Sequence, residues 1–298
     1  MLRWWKAFKV KLAKNPTAHE ASPLTLPDLL VWAARNGNTA LVQDLIGTMT
    51  VDVNYADSLY GRTPLCWAAH GGYMDMACAL LQVSDISVNK KNNCKQSPLS
   101  LAAQEGHLDV IELLLEQEGV EADAADILGR AALSFAAGNG HDEIVQRLLA
   151  RNDVEADGMD HYRETALSWA AERGHTAVVR TLLASGRVCV DSRNIYRRTP
   201  LSYAAGNGHG DIVRLLLDDG GADPLIEDNH HRTALMWAAG NGEQAITQLL
   251  SLYMETKKME VGSRLAIADR RRLVHFRDAS PSGRAGGVRN TAHWIRSK

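Results

Sequence analysis

The sequence predicts an all-α repeat solenoid, a stack of small helix pairs with a tail at each end. Three observations carry that prediction. A large residue followed by Ala-Ala recurs at Trp32, Trp67, Leu101, Phe135, Trp169, Tyr203 and Trp237, first after 35 residues and then every 34. A glycine follows on the same beat at Gly37, Gly72, Gly106, Gly140, Gly174, Gly208 and Gly242. The 298 residues contain 24 Gly but only 3 Phe, a poor supply of bulk for one large core. Seven coincidences at one period describe a solenoid rather than the two globular domains such a length would suggest.

One unit, 199–220, shows why each element forms. The Thr199 hydroxyl can cap a helix, and Pro200 suits the first helical position, where a missing N–H costs nothing. Leu201, Ala204 and Ala205 give a short apolar stripe small enough for a second helix to lie close. Gly206-Asn207-Gly208 stops the helix, because glycine takes the left-handed conformation of a C-cap readily. Ile212, Val213, Leu215, Leu216 and Leu217 then follow at helical spacing and predict a second, amphipathic helix. Gly220 to Pro224 ends it, and a polar connector leads to Thr233.

Thr63-Pro64-Leu65, Ser97-Pro98-Leu99 and Thr199-Pro200-Leu201, each followed by Ala-Ala and a Gly turn, resemble ankyrin repeats. The version Gly61-Arg62-Thr63-Pro64-Leu65 with Trp67-Ala68-Ala69, and Ser100, Ser134, Ser168 and Ser202 in later units, resembles the subtype abundant in filamentous fungi. The resemblance covers residues 23–254, divided as 28–62, 63–96, 97–130, 131–164, 165–198, 199–232 and 233–254. It implies about seven helix-turn-helix units with β-hairpin-like loops to one side and a concave face that binds protein. Asp28 is expected to cap the divergent first unit. The family's His after Thr-Pro-Leu is replaced by Cys66, Ser100, Ser134, Ser168, Ser202 and Met236. The Gly before the capping dipeptide survives at Gly61 and Gly129 but is Lys95, Arg163, Arg197 and His231 elsewhere. Those four loops must use another turn or accept strain, since a side chain at positive φ is unfavourable. Ala131 stands where its unit needs a cap.

Composition excludes several classes. No apolar run reaches the roughly 20 residues of a membrane-spanning helix. Four Cys without a CxxC pair argue against a disulfide scaffold or zinc module, and the basic N-terminus lacks a signal-peptide core, so an intracellular setting, cytoplasmic or nuclear, is expected. The net charge of −2 conceals segments: residues 1–22 carry +4, 23–254 carry −13 and 255–298 carry +7. Residues 1–22 read as a short basic amphipathic helix with Trp4, Trp5, Phe8 and Leu12 on one side. A cap or disorder is favoured there over peripheral membrane contact. Residues 255–298, with Arg270-Arg271-Arg272, read as a disordered basic tail.

Candidate chemistry reduces to architecture. His107, His141, His175 and His209 form a ladder that invites a metal, but repeats stacked roughly 10 Å apart cannot share a ligand shell of ~2 Å. We read the ladder as part of the turns, and the aromatic series as filling between helices. The Gly-rich turns lack a phosphate-loop Lys-Ser/Thr. No catalytic constellation, cofactor or small-molecule substrate is indicated, and the chain is read as a non-enzymatic monomer. Nucleic acid is not the expected partner.

The loop tips and the residues after each Ala-Ala remain for binding. The tip row is Tyr60, Cys94, Leu128, Tyr162, Tyr196 and His230, flanked by Arg62, Gln96, Arg130, Glu164, Arg198 and Arg232. The concave set includes Glu172, Arg173, Asn207 and Asn241. Tyr and Arg are enriched among interface hot spots. The alternative is that the Arg pairs within its loop and the Tyr covers its neighbour. The expected function is a protein–protein interaction module or scaffold. A regulatory array of a larger fungal NTPase-type effector, or an adaptor recruited to membrane or nucleus by its basic ends, is the competing reading.

Overall fold

A computed structural model describes residues 25–48 and 50–259. Among these described residues there are fourteen helices and no strand, so the hairpin-like loops are built from turns. In chain order the helices are α1 (Leu26–Arg35), α2 (Thr39–Thr48), α3 (Pro64–Gly71), α4 (Met74–Leu81), α5 (Pro98–Glu105), α6 (Leu108–Leu115) and α7 (Ala132–Asn139). They continue with α8 (Asp142–Leu149), α9 (Ala166–Arg173), α10 (Thr176–Ala184), α11 (Pro200–Gly206), α12 (Gly210–Asp218), α13 (Ala234–Gly240) and α14 (244–259). The odd-numbered inner helices pack on one another in sequence, the outer helices α2 to α12 do the same, and each pair through α12 packs internally.

The chain divides into two units after Thr247. The described part of the second, 248–259, is helical throughout, so the expected array boundary at 254 falls inside a helix. The readings for residues 1–22, and for the tail beyond 259, lie outside the described residues.

The alanine pairs explain the thin layers. Ala68, Ala69, Ala102, Ala103, Ala136, Ala137, Ala170, Ala171, Ala204 and Ala205 are fully buried, and their small side chains suit the packing of successive inner helices on one another. Outer helices supply the bulk: Met76, Leu80, Ile111, Leu114, Ile144, Leu148, Leu182 and Leu216 are buried too. Dividing burial among repeats in this way suits a nearest-neighbour stack.

Capping follows the expected residues with two exceptions. Thr63, Ser97, Thr165, Thr199 and Thr233 each accept a hydrogen bond from the backbone N–H three residues on. Ser168 and Ser202 return the favour to the N–H of Thr165 and Thr199, closing capping boxes. Ala131 stands at the cap position but, lacking a side-chain oxygen, makes no cap bond. In the first unit the cap is Thr25, not Asp28: α1 begins a turn earlier, and the Asp28 carboxylate bonds back to the Thr25 N–H at 3.0 Å. Counting back from Trp32 by the spacing of later repeats misplaces the cap, because α1 has ten residues where α3 has eight.

Candidate functional site

The turns between helices tie each repeat to the one before it. Nε2 of His107, His141, His175 and His209 lies 3.0–3.2 Å from the carbonyl oxygens of His70, Gln104, Gly138 and Glu172. Each ring also fills the space over the previous glycine turn: a Cβ on Gly72, Gly106, Gly140 or Gly174 would sit 2.5–2.7 Å from it. These glycines have φ between +67° and +86°, so conformation and space both require glycine. Tyr73 takes the histidine's place over Gly37, and Glu243 takes it over Gly208. The ladder is therefore an inter-repeat clasp. Among the described residues no three His, Cys, Asp or Glu side chains gather in a way that could hold a metal.

The loops form a second ladder that the reading of the sequence overlooked. Asn92, Asp126, Asp160, Asn194 and Asp228 stand five residues before each capping position, and their Oδ1 accepts the N–H groups two and four residues on. In the first loop Asp57 does this work from one residue further back, which locates the extra residue behind the 35-residue first step. The period-34 recurrence of Asn or Asp was the available signal. The tips bond to each other: the N–H of Asn93, Ile127, His161, Ile195 and Asn229 donates to the carbonyl of Tyr60, Cys94, Leu128, Tyr162 and Tyr196 in the preceding loop. Lys95, Arg163, Arg197 and His231 have φ of 58–60°, so these loops keep the same turn as Gly61 and Gly129 and accept the strain.

On the concave face guanidinium groups lie over rings. Arg62 is 4.5 Å from the Trp67 ring centre, Arg130 4.5 Å from Phe135, Arg198 3.9 Å from both Tyr203 and Trp237, and Arg232 3.8 Å from Trp237. Arg130 and Arg232 also pair with their own loop carboxylates, Asp126 at 2.8 Å and Asp228 at 3.0 Å.

A family model described as ankyrin repeats matches this chain in three copies, over residues 30–126, 118–194 and 187–260. The chain belongs to the ankyrin-repeat family. A search of curated proteins gave no match. The ankyrin stack is all-α among the described residues, and no described helix is long and apolar enough to cross a membrane.

Within the ankyrin frame the predicted binding residues separate into three groups. Tyr60, Tyr162 and Tyr196 are 43%, 48% and 56% exposed, with Leu59, Ile127 and Ile195 exposed beside them. Cys94 and His230 are exposed as well, and Leu128 is half-buried. A second group is half-committed to the fold: Arg62, Arg130, Arg198 and Arg232 are partly buried over aromatic rings, and Arg130 and Arg232 also pair with acids of their own loops.

The third group joins repeats. Asn207 and Asn241 keep exposed positions but donate Nδ2 to the carbonyls of Glu172 and Gly206, and Arg173 donates to that of Gly138. Glu164 corrects the expected row outright. It is buried, and its Oε1 accepts from Tyr203 Oη and Asn194 Nδ2, each at 2.7 Å. Burial, with the bond to this carboxylate, holds the Tyr203 hydroxyl protonated well above the usual tyrosine range. Glu172 lies half-buried in the concave face, its pKa raised by burial and then by the Glu164 charge.

The aromatic series is likewise more than filling between helices. Trp67, Trp169 and Trp237 present Nε1 to Asp57, Asp160 and Asp228 at 3.0–3.3 Å, fastening each inner helix to its own loop. Of the four cysteines, Cys66 is buried, and its thiol pKa is pushed up by that burial, whereas Cys94 and Cys189 are exposed thiols.

Proposed function

We propose that this ankyrin array is a non-enzymatic module that binds a protein partner across its loop tips and concave face. Ankyrin repeats generally mediate protein–protein interaction. The observation that carries the finer reading is the tip row itself. Tyr60, Tyr162 and Tyr196, with Leu59, Ile127 and Ile195, form a recurring exposed aromatic and aliphatic set on a backbone-bonded row of turns. Large rigid side chains held in register cost little ordering entropy on binding, which suits hot spots.

The mutational test avoids Arg198, because its removal would uncover Tyr203 and Trp237. Tyr60→Ser, Tyr162→Ser and Tyr196→Ser together are expected to leave the melting temperature within a few degrees and to weaken a bound partner at least tenfold (about 1.4 kcal/mol). Equal affinity in the triple variant would move the interface elsewhere. The same reading holds the chain to be an intracellular monomer, which sedimentation and the localisation of tagged protein test. The finer likeness to the fungal subtype, and the regulatory role it would bring, stay part of this proposal.

A further inference from the structure

Two rungs of the concave face lack the arginine of the other four, and we propose that the opening left at the Glu164 rung receives an acidic side chain of an extended partner segment. This rests on the protein-binding reading above and specifies its chemistry.

Four loops place an arginine over the ring of their own repeat, at Arg62, Arg130, Arg198 and Arg232. In the loop before Trp169 that place is held by Glu164, whose carboxylate is turned into the stack toward Asn194 and Tyr203. Trp169 is approached instead by Arg173 of its own helix, at 5.2 Å. Gly138, like Gly206 and Gly240, has no side chain where Gln104 and Glu172 of the adjoining repeats carry long ones, but beside Gly206 the Arg198 guanidinium takes up the space. The bare glycine and the missing arginine together leave a groove of about 340 Å³, lined chiefly by Gln104, Arg130, Phe135, Asn139, Trp169 and Arg173.

The lining decides what fits. Phe135 and Trp169, each with a guanidinium over its ring, give the lining its apolar part, two guanidinium groups and two carboxamides supply donors, and no carboxylate is among the lining residues. Asp126, the partner of Arg130, is buried behind it. Arg173 is held by the carbonyl of Gly138 and the Asn139 amide oxygen, which fix its guanidinium in place, with the Glu172 carboxylate near enough to feel its charge. A planar guanidinium presents parallel N–H groups to a carboxylate, whereas an incoming lysine or arginine would meet two like charges. The neighbouring acids are engaged outside the lining, Glu105 with Gln104 and Asp126 with Arg130, while Glu112, Asp142 and Glu143 sit on the outer helices. The groove thus presents donors within an acidic array, which sets register and partner choice more than bulk affinity. An aromatic or aliphatic neighbour of the acidic residue would lie against the partly exposed Trp169.

Short random peptides displayed on phage and panned against the full chain at low salt provide the probe. The best clones are then titrated by fluorescence anisotropy against the parent chain, Gly138→Gln and Arg173→Ala. Gly138→Gln fills the groove with the side chain its neighbour already carries. A Cβ there meets nothing closer than 3.6 Å, and glycine is the poorer helix former, so the fold is preserved. We expect enriched peptides to carry Asp or Glu beside an aromatic or aliphatic residue, and both variants to bind them roughly tenfold or more weakly. Peptides with no acidic preference, or undiminished by Gly138→Gln, would overturn the groove assignment while leaving the protein-binding reading in place. No enrichment on the parent chain would count against both.

Discussion

The interhelix turns and the concave rungs recur at the same period yet treat their residues in opposite ways. At the turns one solution is repeated: a positive-φ glycine beneath a histidine that reaches a carbonyl of the preceding repeat, four times over. On the concave rungs the position before the cap is Arg, Gln, Arg, Glu, Arg and Arg, and the large residue five positions on is Trp, Leu, Phe, Trp, Tyr and Trp. Sameness along the stack marks a joint every repeat must make, and variation marks positions released from that duty. Glu164 is the furthest departure, its carboxylate turned into the stack toward Asn194 and Tyr203, and the groove lined by Gly138, Trp169 and Arg173 lies where its loop lacks the arginine.

The largest effect expected from this contrast is at a turn. Gly140→Ala forces a side chain into φ +80° and drives its Cβ to 2.6 Å from the His175 ring. It should cost about 2–3 kcal/mol in denaturant unfolding, and a loss comparable to that of Gly138→Gln would erase the distinction between turn and rung. Next come the strained loops. Arg163→Gly with Arg197→Gly places glycine where φ is 59–60°, as Gly61 and Gly129 already do. Relief of strain less the added freedom of the unfolded chain leaves a gain of about 1 kcal/mol for the pair. A lower melting temperature would show that these side chains hold the loops.

Of similar size is Ala131→Thr. Its backbone has the extended conformation of a cap, φ −94° and ψ 174°, and a cavity of about 190 Å³ lies beside it. A rise of up to ~1 kcal/mol is expected, and a lower melting temperature would place the repeat boundary wrongly.

The smallest effect concerns Asp123, Asp157 and Asp191. Each accepts the N–H of a residue in the next repeat, at 2.7–3.2 Å, and burial raises the pKa of all three. A raised folded-state pKa contributes stability that is full below the ordinary carboxylate value of about 4 and is lost as pH rises through the raised value. At neutral pH the three charges are therefore held at a cost. Asn54 and Asn89 occupy the equivalent places and donate as well as accept. Replacing the three aspartates with asparagine should stabilise the array by about 0.5–1 kcal/mol at pH 7. That advantage should shrink as pH falls toward 4, and a pH-independent gain would contradict the assignment.

The fold was legible because the turn residues advertise themselves. Capping Thr and Ser, Pro at the helix start, Ala-Ala and Gly each have one physical use, and the period multiplies the signal. Of the proposed binding row, the sequence made plain the exposure of Tyr60, Tyr162 and Tyr196 at the loop tips. Glu164 misled because a glutamate among arginines reads as a surface charge. Its partners Asn194 and Tyr203 stand 30 and 39 residues away, in the next repeat. Arg198 misled for the same reason, since its two rings come from successive repeats. Asp28 shows the complementary error, a register carried from regular repeats into a longer helix.

Hydrogen–deuterium exchange of the intact chain, with and without a selected acidic peptide, tests the division of labour most directly. Added protection should fall on the loop 126–130, on α7 and α9 and on the neighbouring tips, with the outer helices α8 and α10 unchanged. Protection centred on α8 and α10 would contradict the account, because it would place recognition on the face assigned here to packing and surplus charge.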